Sequence, residues 1–260
     1  MNFFCDSTLS LQDALNHYIS YVKRHNGVIS DNFRNNLKIQ ILTGNETRAE
    51  ANANVDTLTI KLRKNISIIT FFHELRHISD QWQDKNNSKK YYGCWEHETD
   101  FDKQMRFEDV KTNTVRVYRG IHGRFLGEAI AELYASKVYW DLCNNSKEAF
   151  AYTSSRKYYD EEIINLKKIC TVFGINEDIF INLQSEDDYG ENFLRKKCED
   201  LTDNNELWDC LESYLDFLEM KKVIHTSHPD LIISQHSQED FQSISNKINQ
   251  IYPAILSTAL

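Results

Sequence analysis

Two histidines four residues apart enclose an acid in the run Phe71-Phe72-His73-Glu74-Leu75-Arg76-His77. On a helix that spacing sets both imidazoles on one face, about one turn apart and within reach of a single metal ion. Zn²⁺ is the ion the pattern predicts. His73 and His77 supply two nitrogens, and Glu74, beside the first, can take a proton from a water that the ion polarises. The chemistry so implied is hydrolysis. A surface pair of histidines on an amphipathic helix would show the same letters, since the chain holds nine histidines. The surroundings favour ligands: Ile68, Phe71, Phe72, Leu75, Ile78 and Trp82 fall at helical spacing around the motif.

A second pair of groups lies further along. The run from Gly123 to Leu133, Gly-Arg-Phe-Leu-Gly-Glu-Ala-Ile-Ala-Glu-Leu, opens a long helix that continues through Tyr134, Val138, Tyr139 and Trp140. It places Glu128 and Glu132 one turn apart on one face. Acids near a helix start are favoured by the helix dipole without any other role. These two sit among Gly127, Ala129, Ile130, Ala131 and Leu133, a setting that suits paired or metal-bound carboxylates. Periodicity does not choose between them.

HELRH followed by a helix reading GEAIAEL resembles the gluzincin group of zinc metallopeptidases, the thermolysin-like arrangement of two histidines and a glutamate. The resemblance covers roughly residues 35 to 142 and is carried by the two motifs. It implies His73, His77 and Glu128 as zinc ligands, Glu132 as the acid that orients a ligand histidine, and Glu74 as general base. It further implies an endopeptidase acting on a peptide or protein substrate. Two departures stand out. About fifty residues separate His77 from Glu128, more than in compact members of the group, and Arg76 stands where a small residue is common.

Several elements must position these groups. A helix is expected over 10 to 25, with Leu11, Ala14, Leu15, Tyr18, Ile19 and Val22 on one face. Leu37, Ile39 and Ile41 alternate with polar residues as a strand does, and so do Leu58, Ile60 and Leu62. Glu46 to Asp56 has room for another short strand. Neither proline nor glycine interrupts residues 65 to 92, so the motif helix is free to extend to Trp82. A polar insertion, 85 to 111, holds Cys94 and His97, which have ligand chemistry at a spacing that matches no zinc pattern. Val115 and Val117 then predict a short strand after a turn at Asn113.

Beyond 147 the periodicity is helical, with segments around 159 to 173, 176 to 183, 189 to 201, 207 to 220 and 239 to 257. His225, His228 and His236 fall in an expected polar loop between the last two. They join Tyr118, His122 and Tyr134 as candidates for steadying an oxyanion. The expected fold class is therefore α+β, mostly helical: a zincin-like small sheet and active-site helix, followed by an all-helical C-terminal half. The expected division is 1–146 for the metal-binding catalytic region and 147–260 for a helical region packed on it.

Composition narrows the partners. A net charge of −9 and a pI near 5.5 argue against nucleic acid and anionic membranes as partners. The apolar stretch at the motif, Ile68 to Phe72, is far too short to span a bilayer. Six cysteines without a CxxC pair suit a reducing compartment. The first residues lack a basic stretch followed by an apolar run, so the expected location is cytoplasmic, or exported without a cleaved signal peptide. Two rival readings remain. One is a non-peptidase amide hydrolase with the same zinc site, and the other a catalytically inactive helical protein-interaction module.

Overall fold

The first helix starts where Ser10 accepts the Asp13 N–H at 3.1 Å, and a second starts where Ser30 accepts that of Phe33 at 3.0 Å. These are α1 (Leu11–Arg24) and α2 (Asp31–Asn36) in the computed structural model. It describes residues 3–25, 27, 29–43, 51–54, 56–79, 81–83, 90–92, 95–96, 104–119, 123–182, 190–202, 205–228 and 230–253. Three strands follow: β1 (Lys38–Leu42), β2 (Ala51–Asn54) and β3 (Thr59–Arg63). β3 is central, parallel to β1 and antiparallel to β2, which leaves β2 at an edge. The alternation expected for β3 is kept in part: Ile60 and Leu62 are fully buried and Lys61 half-buried, but Thr59 is buried as well.

The motif helix is α3 (Ile68–Ser79). Its free N-terminal N–H groups are met by a segment distant in sequence. Asp6 accepts the Ile68 N–H at 3.0 Å and the Ser67 hydroxyl at 2.9 Å, and Ser67 in turn accepts the Ile69 N–H at 3.2 Å. The carboxylate of Asp6 also suits the positive end of the helix. α3 stops earlier than its apolar stripe predicts. Trp82, expected on that stripe, lies instead in β4 (Gln81–Gln83), which pairs antiparallel with β5 (Lys90–Tyr92). The reason is visible at Ser79. Its hydroxyl turns back to the Arg76 carbonyl at 3.2 Å and meets the Tyr18 hydroxyl at 2.6 Å, and from there the pattern changes to period two.

The chain continues through β6 (Trp95–Glu96), β7 (Gln104–Asp109), β8 (Thr114–Arg119) and α4 (Arg124–Leu142). Asn113 makes the expected turn before β8 in the left-handed region, φ 51°. Then come α5 (Lys147–Ser155), α6 (Asp160–Phe173), α7 (Asp178–Asn182), α8 (Gly190–Thr202), α9 (Glu206–Ser227), β9 (Leu231–Ile233) and α10 (Gln235–Ile251). Gly174, φ 62°, closes α6. The fold is α+β and mostly helical, with small sheets.

β9 corrects one expectation. The stretch read as a polar loop around His228 contains a strand, because Leu231-Ile232-Ile233 is apolar, with two β-branched residues, and joins β7. The flanking helices consequently reach further in: α9 runs to Ser227 and includes His225, while Ser234 caps α10, which begins at Gln235 and includes His236. α10 also ends earlier than expected, at Ile251.

Two compact units divide the chain. One holds Met1–Cys94, Gly127–Ile163 and Asp178–Tyr189; the other holds Trp95–Leu126, Ile164–Glu177 and Gly190–Leu260. This division departs from the expected boundary between 146 and 147, because the chain leaves the first unit before β6 and returns along α4. The first unit's core joins Tyr18, Tyr21 and Val22 of α1 to Phe71, Phe72 and Leu75 of α3, with Tyr134, Ala135 and Val138 of α4. In the second, Met105 and Phe107 of β7 pack with Phe217, Met220 and Ile224 of α9 and with Leu231.

Cys143, Cys170, Cys198 and Cys210 are free thiols, and Cys94 lies outside the described residues. Burial pushes Cys170 and Cys198 up to about 12, as expected of inert packing groups. Among the described residues no helix is long and apolar enough to cross a membrane.

Candidate metal centre

Packing of α3 into the core leaves positions 73, 74 and 77 to face other partners. α4 meets two of them. Its Glu128 and Glu132, one turn apart, are 7% and 5% exposed, so both carboxylates need partners to be tolerated. Both have them. Glu128 Oε2 lies 2.9 Å from His73 Nε2 and 3.3 Å from His77 Nε2, and the two Nε2 atoms are 3.0 Å apart. A tetrahedral zinc with ligands at about 2.0–2.1 Å spaces those ligands at roughly 3.3 Å. The three atoms are therefore gathered at nearly the separation the ion requires, and His73, His77 and Glu128 fit a metal. Among the described residues they form the one group of three such side chains close enough to hold an ion.

Behind this group, Glu132 Oε2 lies 3.1 Å from His73 Nδ1. The Nδ1–H donates to the carboxylate, which leaves Nε2 as the nitrogen that faces the cluster. Glu132 Oε1 accepts from Arg156 Nε at 2.8 Å. Tyr159 completes the surroundings. Its ring stacks on His73, centroids 4.8 Å apart and planes within 12°, and its hydroxyl is hydrogen-bonded to Glu128. Burial, and then the charge of Glu128, raise that phenol, so it stays protonated and donates.

Glu74 is partly exposed, beside the cluster and next to β2, whose Ala53 N–H donates to its carboxylate. Burial raises the Glu74 carboxyl above its ordinary value; His73, His77 and the Ala53 N–H oppose this without cancelling it. For Glu128 burial acts upward too, but His77 and His73 outweigh it and hold the carboxyl well below the usual range. Glu132 is likewise lowered despite burial, by His73 and Arg156.

His73 makes the site sensitive to pH. Burial alone would depress the imidazole, yet the hydrogen bonds to Glu128 and Glu132 prevail and raise it from 6.5 to about 10. A proton and a divalent cation compete for the same Nε2. With its folded value above its unfolded one, His73 stabilises the metal-free protein fully below pH 6.5 and progressively less as pH rises towards about 10. A cation at Nε2 would meet less competition from the proton over the same range. The rise in Tm on adding zinc is thus expected to be larger at pH 8 than at pH 6, and thermal melts with and without zinc at both pH values check it. A rise that shrinks with increasing pH contradicts this competition.

Tyr134 is a core residue. The Arg76 guanidinium lies 4.2 Å over its ring, and Tyr18 and Tyr21 meet it edge-on. That also accounts for a large side chain at position 76: Arg76 turns inward and is only 1% exposed. His225, His228 and His236 belong to the second unit, where His236 is exposed and 3.6 Å from Asp240. Cys94, His97 and His122, and the side chain of Tyr118, lie outside what is described.

Arg156 and Tyr159 went unrecognised in the sequence. Tyr159 reads there as one more apolar position of the following helix, and Arg156 belongs to no motif. The segment between α5 and α6 carries no local pattern that marks either. Comparison with known proteins returns no match: no family model, no curated protein and no solved structure is significantly similar to this chain.

Proposed function

We propose that this chain is a zinc-dependent peptide hydrolase of the gluzincin kind, with His73, His77 and Glu128 as ligands. The observation that carries the reading is the gathering of three ligand atoms within 3.3 Å of one another, with Glu132 behind one ligand. A zinc ion there supplies a Lewis acid and a water acidified towards neutral pH.

The protein's own groups do the rest. Glu74 accepts the proton from the attacking water and passes it to the leaving amine. Burial raises its carboxyl above the ordinary glutamate range, the direction that favours a group which must both take and release a proton. Glu132 keeps the His73 ring in the tautomer that offers Nε2. Tyr159 covers one face of that ring and excludes water from it. β2, an edge strand beside Glu74, offers main-chain groups along which an extended peptide can lie. Six cysteines without a CxxC pair suit a reducing compartment such as the cytoplasm.

A peptide library tests this reading. Purified protein with zinc is expected to cleave a subset of peptides, to lose the activity to a chelator and to regain it with added zinc. Cleavage indifferent to chelation contradicts the metal mechanism. Zinc binding without any peptide cleavage favours the amide hydrolase acting on other substrates, and the absence of both favours the interaction module.

A further inference from the structure

The connector between α5 and α6 brings a cation to the far side of His73. Arg156 follows the last residue of α5, and its N–H still bonds the Thr153 carbonyl at 3.1 Å, but its backbone is extended. The side chain is thereby released from the helix surface and directed at α4. There it is nine-tenths buried, a costly place for a guanidinium without a carboxylate. Glu132 meets that need, and its two oxygens are divided: Oε1 accepts from Arg156 at 2.8 Å, and Oε2 accepts from His73 at 3.1 Å. A weaker contact, 3.5 Å, joins Arg156 to Thr70, one turn before His73 on α3.

We infer that Arg156 is a positioning residue for the metal centre: by holding one oxygen of Glu132 it fixes the plane of that carboxylate, so that the other oxygen sets the His73 ring. The inference rests on the metal-centre reading above. A carboxylate bonded only to His73 can swing about its last torsion and take the ring with it. One clamped at both oxygens cannot. The Tyr159 ring, stacked on the imidazole, restricts the same motion from another side. Arg156 thus acts through Glu132, three groups away from any reacting atom.

A simple structural staple between α3, α4 and α5 would predict the same contacts but a different energetic pattern. Zinc affinity of the full chain, by competition with a chromophoric chelator, separates the two in a double-variant cycle. Arg156→Gln and Glu132→Gln are each expected to weaken zinc by about 10–100-fold, and the double variant to bind no worse than Glu132→Gln alone. Arg156→Lys, which keeps the charge, should recover part of the loss, and it serves in the cycle if Arg156→Gln does not fold. The visible spectrum of the cobalt-substituted protein should shift in Arg156→Gln, since the ligand geometry changes. Wild-type affinity in the Arg156 variants, or losses that multiply in the double variant, overturns the inference while leaving the metal centre intact. No zinc binding by the wild type overturns both.

Discussion

Glu74→Gln is expected to keep the fold and the zinc while lowering peptide cleavage by about two to four orders of magnitude. The amide has nearly the shape of the acid, and its oxygen can still accept the Ala53 N–H, so the local structure has little reason to change. What it lacks is the ability to take a proton from water and return it to the leaving amine. Steady-state rates on a cleaved peptide, together with zinc content, read out the two halves of this expectation. Undiminished cleavage would remove Glu74 from the role of base. Loss of zinc along with activity would make it a support of the site instead.

The second large effect separates the two acids of α4. Glu128→Ala is expected to abolish zinc retention, because it removes a ligand atom that lies 2.9 Å and 3.3 Å from the two imidazole nitrogens. Glu132→Ala removes a group that touches His73 only at its outward nitrogen, and it should weaken zinc by about 10–100-fold while still binding at saturating metal. It also leaves Arg156 buried without its carboxylate, so a loss of stability in this variant is expected even without metal. Zinc affinity measured in both variants gives the order. The reverse order would make Glu132 the ligand.

Much of the site could be read in the sequence because it depends on helical periodicity, which is local. His73 and His77 share a face whatever surrounds them, and so do Glu128 and Glu132. That the two faces meet follows from their apolar neighbours. Phe72 and Leu75 on one helix and Ala135 and Val138 on the other enter the same core, and this brings the polar positions together. What could not be read depends on long-range partners. Asp6 caps α3 from sixty-odd residues away, and nothing near it announces a helix. Arg156 and Tyr159 reach the site because α5 ends at Ser155, and only the packing of α5 makes that point adjacent to Glu132.

The boundary errors have a similar origin. Trp82 continues an apolar stripe in the sequence, but Ser79 is engaged by Tyr18 and by the Arg76 carbonyl, and the chain turns into β4. Leu231 to Ile233 is too short a run to stand out among polar residues. Its pairing with Phe107 to Asp109 makes it a strand. Tyr134 illustrates the opposite case. It lies near the candidate acids in sequence, yet its place on α4 turns it away from them and beneath Arg76.

Zinc content tests the central claim most directly. Elemental analysis of the purified chain, after dialysis against metal-free buffer, is expected to give about one zinc per chain for the wild type and close to none for His77→Ala. Stoichiometric zinc in both proteins, or none in either, would contradict the assignment of His73, His77 and Glu128 as the metal centre.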